Sequence, residues 1–66
     1  MKNNISAARK AKGFTQDQLA ELIGVKKSYV SKLETGYHIM RADRLKQIAD
    51  VLNVSTDYLL GRIEKK

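Results

Sequence analysis

Apolar residues recur along this chain at helical spacing between short polar breaks, and no alternating stretch is long enough to build a sheet. The first periodic segment covers residues 4–12, with Ile5, Ala8 and Ala11 on its inner side, and Gly13 ends it. Thr15 opens a second helix, and Gln18 three residues later fits a capping box. Leu19, Ala20, Leu22 and Ile23 supply its buried stripe, and Gly24 closes it where only glycine turns at low cost. A third helix is predicted over residues 27–35, ending at Gly36, and "YHIM" makes the loop that follows. A fourth spans 42–52, where Leu45, Ile48, Ala49 and Leu52 repeat at i, i+3, i+4 and i+7. Asn53 takes its left-handed cap position. Ser55 caps a last short helix, "TDYLL", with Asp57 well placed in the first turn. Gly61 stops it and leaves residues 62–66 as a frayed tail. The pattern predicts an all-α fold of five short helices around one core.

Length and composition narrow this further. Sixty-six residues suit one domain, residues 1–66. The absence of cysteine excludes a disulfide framework and a thiolate metal site. The single His38 offers no metal site either, and no cofactor is expected. No apolar run approaches the ~18–20 residues of a membrane span. "MKNNISAARKAKG" lacks a signal-peptide core, so a soluble cytoplasmic protein is expected. Ser6, Ser28, Ser31 and Ser55 lack the His/Asp partners that activate a nucleophile. There is no glycine-rich phosphate loop, and nothing in the sequence predicts an enzyme.

Charge changes the picture. Thirteen Lys and Arg against seven Asp and Glu give +6 and an isoelectric point near 9.8. Such a surplus on so small a body points to a polyanion, provided the charges gather on one face. On a wheel of about 100° per residue, Tyr29, Val30 and Leu33 fall on one side of the third helix. Lys27, Ser28, Ser31, Lys32 and Thr35 fall within an arc of about 140° on the other. That arc holds no bulky aliphatic and no acid placed to pair its lysines. Lysines and hydroxyls are what base edges and phosphates require. Lys26 and Lys27 also stand at a helix N-terminus, where cations are unfavourable by roughly 0.3–1 kcal/mol each. They are misplaced for an isolated helix and well placed for one whose N-terminus points at DNA.

"FTQDQLAELIGVKKSYVSKLETG", followed by "LKQIADVLNVSTDYLLG", closely resembles the Cro/repressor-type helix-turn-helix proteins. These are the lambda-repressor-like (XRE) DNA-binding domains of phage repressors and bacterial regulators. The resemblance covers about residues 5 to 61, with the motif itself at about 15–36, and its pieces match in order. It implies a compact five-helix lambda-repressor-like domain whose third helix enters the major groove. It implies base contacts by Lys27, Ser28 and Lys32, with Ser31 nearby. Phosphate contacts would come from Gln16, Tyr29, Thr35, Arg41 and Arg44, and Lys26 adds phosphate-facing charge. Tyr29 keeps a second reading, a ring that covers the seam between helices two and three. A buried ion pair between Arg9 and Glu34 is also implied.

The chain departs from the family pattern at three places. Lys26 replaces the usual Ser or Thr cap, Met40 and Arg41 replace the usual Pro-Ser opening of helix four, and "YHIM" is apolar and aromatic. The expected function is a sequence-specific double-stranded DNA-binding regulator, a repressor acting as a homodimer on a palindromic operator. Tyr58, Leu59, Leu60 and Ile63 are the candidates for its dimer interface, with core packing claiming at least one leucine. With no second domain in view, no ligand sensor is expected. The rival is an antitoxin-like protein-interaction module on the same fold, for which leucine or aromatic residues are expected on the outer face of helix three.

Overall fold

Five helices follow one another in the computed structural model, which describes residues 3–36 and 41–63: α1 (Ile5–Ala11), α2 (Gln16–Ile23), α3 (Lys27–Thr35), α4 (Ala42–Leu52) and α5 (Thr56–Leu59). The expectations for Tyr37, His38 and Met40 lie outside the described residues. No helix among them is long and apolar enough to cross a membrane.

Local chemistry sets the ends of these helices. At α2 the capping box is complete, with Gln18 N–H donating to Thr15 Oγ1 at 3.1 Å and Thr15 N–H donating to Gln18 Oε1 at 2.8 Å. Ser55 Oγ accepts from Tyr58 N–H at 3.1 Å and starts α5 in the same way. Gly24 ends α2 at φ 75°, and Asn53 ends α4 at φ 56°. Asn53 is the one positive-φ residue other than glycine among those described; its short polar side chain tolerates a conformation that most residues resist.

Each helix contributes its apolar stripe to one core. Ile5 and Ala8 of α1 meet Leu19, Ala20 and Ile23 of α2, Val30 and Leu33 of α3, Leu45, Ile48, Ala49 and Leu52 of α4, and Tyr58 and Leu59 of α5. The start of the chain is stitched across this core. Asn4 donates its backbone N–H to Leu59 O at 3.0 Å and its side-chain amide to Tyr58 O at 2.7 Å. Asn3 reaches Leu33 O at 2.7 Å and accepts from Ile5 N–H at 3.0 Å, which serves the first amide of α1. These four bonds fasten α1 to both α3 and α5.

Two sequence expectations are corrected. Ala11 is exposed, because it lies about 120° around α1 from Ile5, and Arg9 fills the inner arc instead. Leu22 is 52% exposed. It sits about 60° from Leu19 at the rim of the α2 stripe, beside Phe14, Gln18 and Glu21 in an open depression. At the start of the expected tail, Arg62 N–H donates to Asp57 O at 2.9 Å and its guanidinium lies 3.7 Å from the Asp57 carboxylate, while residues 64–66 lie outside the described residues. The difference between Leu19 and Leu22 is measurable. Leu19→Ala should cost about 2–5 kcal/mol in urea unfolding. Leu22→Gln should stay within about 0.5 kcal/mol, and a cost near that of Leu19→Ala would place Leu22 in the core.

Candidate nucleic-acid interface

The α2–α3 turn is short and tightly bonded. Gly24 N–H donates to Glu21 O at 3.3 Å, and Val25 N–H reaches back to Ala20 O at 2.9 Å. Val25 packs half-buried against the core, and α3 begins two residues later. A connection this short forces the two helices to meet steeply, so α3 leans out while α2 lies behind it. On α3, Val30 and Leu33 are buried and Tyr29 is half-buried. Lys27, Ser28, Lys32 and Thr35 are exposed and Ser31 is half-buried, so one polar, cationic face turns to solvent. Thr35 Oγ1 donates to Lys32 O at 3.0 Å, which leaves its lone pairs, rather than its proton, for any outside partner.

Two helix N-termini carry cations in place of caps. Lys26 before α3 and Arg41 before α4 have extended backbone and make no side-chain cap bond. Both are exposed. The Arg41 guanidinium lies 4.0 Å from Asp43, a fully solvated pair that holds little energy. No cap side chain takes the first two amides of α3 or α4, whereas the third is engaged in each: Tyr29 N–H donates to Lys26 O at 3.0 Å and Arg44 N–H to Asp43 Oδ1 at 2.9 Å. By contrast, the capped helices α2 and α5 present no such cation at the cap. Lys26→Ser should raise thermal stability by about 1 kcal/mol through the restored cap. It should also lower the salt dependence of DNA binding, measured as the slope of log K against log salt. A stabler variant with unchanged affinity and slope would show that Lys26 has no part in binding.

The N-terminus of α2 lies beside that of α3. A cleft lined by Lys10, Gly13, Thr15, Gln16, Asp17 and Lys27 runs between the end of α1 and the starts of α2 and α3. It brings Gln16 and Lys27 together, and adds Lys10, which the sequence reading missed. The available signal was a cation in the last turn of α1 just ahead of the turning Gly13. Asp17 offsets part of this charge.

Beneath the cleft lies a buried ion pair. Arg9 Nε donates to Glu34 Oε2 at 2.7 Å, with the two side chains 10% and 8% exposed. Arg9 Nη2 reaches Glu34 Oε1 at 3.5 Å, and Arg9 Nη1 donates to Phe14 O at 2.7 Å. Gln16 Nε2 completes the set by donating to Glu34 Oε1 at 3.0 Å. Part of the Gln16 amide is thus committed inward, where the sequence reading assigned it wholly to a phosphate. The pair joins α1 to the last turn of α3 and fixes how far α3 stands from the body.

Residues 5–59 match the model of a helix-turn-helix family. The chain belongs to that helix-turn-helix family. It is 37% identical over 60 residues to the HTH-type transcriptional regulator ImmR of Bacillus subtilis, covering 91% of this chain and 47% of ImmR. It is also 37% identical over 62 residues to RstR of Vibrio cholerae, a transcriptional repressor of the cryptic phage CTXphi, covering 94% of this chain and 55% of RstR. The chain therefore spans about half the length of these two relatives. Among solved structures, it resembles SinR, a master regulator for biofilm formation, in complex with DNA. The TM-score is 0.76 at 38% identity, over 85% of this chain and 90% of that one. SinR in complex with SinI matches with a TM-score of 0.72 over 85% of this chain and 55% of that one.

Two features of this helix-turn-helix domain differ from the sequence reading. Arg44 turns inward: its Nη1 donates to Ile23 O at 2.9 Å and to Gln47 Oε1 at 2.7 Å, and its guanidinium lies 5.7 Å from the centre of the Tyr29 ring. The candidate dimer residues also separate. Leu59 is wholly buried and Tyr58 nearly so, because α5 is too short to reach the core without spending both. Leu60 is half-buried, and Ile63 is 44% exposed. Only these last two keep surface for a second subunit.

Proposed function

We propose that this chain is the DNA-reading domain of a bacterial or phage-encoded transcriptional repressor that works in the cytoplasm. It reads a palindromic operator as a homodimer, with α3 of each subunit in the major groove. The observation that carries this reading is the outer face of α3, where Lys27, Ser28 and Lys32 stand exposed with no aliphatic residue among them. Ser31 lies nearby. Gln16, Lys26, Tyr29 and Arg41 hold phosphates on either side, Thr35 joins them when its hydroxyl turns from Lys32 O, and the first amides of α2 and α3 assist. Subunits meet through Leu60 and Ile63. The regulator and repressor names of ImmR and RstR, and SinR in its DNA complex, support the reading.

Selection from random duplex DNA at about 0.15 M salt, a concentration at which nonspecific binding is weak, tests it. Enrichment of an inverted repeat with half-sites about 34–36 Å apart is expected, one turn of duplex. A lone half-site would keep DNA reading and remove the dimer. No enrichment by folded protein would overturn the reading. It would favour the second one, docking of a protein partner, which has the SinR complex with SinI on its side.

A further inference from the structure

Three elements of the fold converge on one guanidinium. Arg44 belongs to the first turn of α4, yet its Nη1 also bonds the Ile23 carbonyl at the end of α2, and its guanidinium carbon lies 5.7 Å from the centre of an α3 ring. We propose that Arg44 is a positioning residue, which ties α2, α3 and α4 together and sets the angle at which α3 meets DNA without itself holding a phosphate. This rests on the DNA reading given above.

The chemistry at the end of α2 explains why an arginine is needed. The last carbonyls of a helix carry partial negative charge and lack intrahelical partners. The last turn of α2 contains no basic residue, so α2 does not answer that charge itself. Arg44 supplies it from 21 positions away, and Gln47 Nε2 adds a longer bond to the same Ile23 carbonyl at 3.4 Å. Both hydrogens of Arg44 Nη1 are engaged, one by Ile23 O and one by Gln47 Oε1. At 5.7 Å the guanidinium is within cation–π range of Tyr29, itself packed against the core. Tyr29 lies one helical turn before Leu33, beside the inner side of α3, so holding its ring holds the rotation of the outer face. Arg41, three residues before Arg44, shows the contrast. Its side chain is 88% exposed and has only the solvated Asp43 beside it. The two arginines divide the work: Arg41 meets phosphate, and Arg44 orients the reader.

Lysine is a poor substitute in this place. It keeps the charge but has no planar group to lie on a ring while bonding two oxygens in its plane. The experiment is fluorescence-anisotropy titration of the selected site and of a scrambled duplex across a salt series, for the wild type, Arg44→Lys, Arg44→Ala, Gln47→Ala and Arg41→Ala. Loss of two hydrogen bonds and the ring contact should weaken the selected site roughly tenfold in both Arg44 variants. Binding to the scrambled duplex, and the salt slope, should stay as in the wild type. Gln47→Ala should shift in the same direction by less. Arg41→Ala should weaken both duplexes alike and lower the slope by about 0.9, the value of one phosphate contact. In the DNA-free protein, the amide and ring resonances of Tyr29 and α3 should move in Arg44→Lys while those of α1 and α5 stay. Full rescue by Arg44→Lys, or an Arg44→Ala slope that falls like that of Arg41→Ala, would overturn the proposal and make Arg44 a phosphate contact. If the wild type distinguishes no sequence, the DNA reading fails. The orienting role then stands or falls on the DNA-free spectra: unmoved Tyr29 and α3 resonances would overturn it.

Discussion

Arg9→Ala should cost this domain about 3–5 kcal/mol, the largest single loss expected from any side chain outside the apolar core. The reason is what remains after the arginine is gone. Among the described residues, Glu34 is left 8% exposed with only the Gln16 amide to face it, and the Phe14 carbonyl loses its 2.7 Å donor. A charge held out of water without a counterion is far costlier than the intact pair is favourable. For a domain of this size each kcal/mol moves the thermal midpoint by about 4–8 °C, so the variant should melt some tens of degrees lower. Glu34→Ala should do comparable harm, since it strands the guanidinium. The double variant Arg9→Met with Glu34→Leu removes both charges and should regain part of the loss, though Gln16 and Phe14 O stay short of partners. Thermal and urea unfolding of the four proteins check this. A loss below about 1 kcal/mol for Arg9→Ala would put the pair in the class of exposed ion pairs and refute its structural role.

That ion pair also shows where reading a sequence stops. Helices α3 and α4 occupy residues 27–35 and 42–52 as expected, because their C-terminal ends are written locally in Gly36 and Asn53. The polar face of α3 was legible for the same reason, as angles around a helix follow from sequence spacing alone. What spacing does not give is which element packs on a given side. Leu22 and Ala11 sit at the rim of their stripes, and neither has a neighbouring helix to cover it. The Arg9–Glu34 bond spans 25 positions and the Arg44–Ile23 bond 21, so no local rule announces either. The first was reached through family resemblance. The second was not anticipated, since an arginine near a helix start looks the same in sequence whether it turns in or out. Leu59 posed a similar problem: an apolar residue in a short terminal helix serves a core or a partner equally well until the packing is seen.

Lys27→Ala and Lys32→Ala should each weaken binding to the selected DNA site by about 1–3 kcal/mol, the worth of a good base contact. Each therefore loses roughly 5- to 150-fold in affinity. Both side chains are exposed, and neither has a carboxylate partner among the described residues, so removing them disturbs nothing inside the protein. Five residues apart, they stand about 7.5 Å from one another along α3 and, on the proposed reading, would meet different base pairs. Their losses should then add, within about 0.5 kcal/mol. On the same reading Ser28 and Ser31 would permit this approach, since a larger side chain at either position would hold the helix off the groove floor. Base contact and phosphate contact differ in what they spare. If Lys27 and Lys32 read bases, a scrambled duplex should feel their loss weakly, and specificity should relax at the bases they touch. If they hold phosphates, every duplex should suffer alike and the salt slope should fall by about 0.9 for each lysine removed. Arg41→Ala gives the phosphate signature for comparison, because its side chain lies in solvent. Gln16→Ala is the poorer control, since its amide also bonds Glu34 and the variant would lose stability as well as affinity. Were both lysine variants to behave like Arg41→Ala, the outer face of α3 would supply only charge, and sequence would have to be read elsewhere.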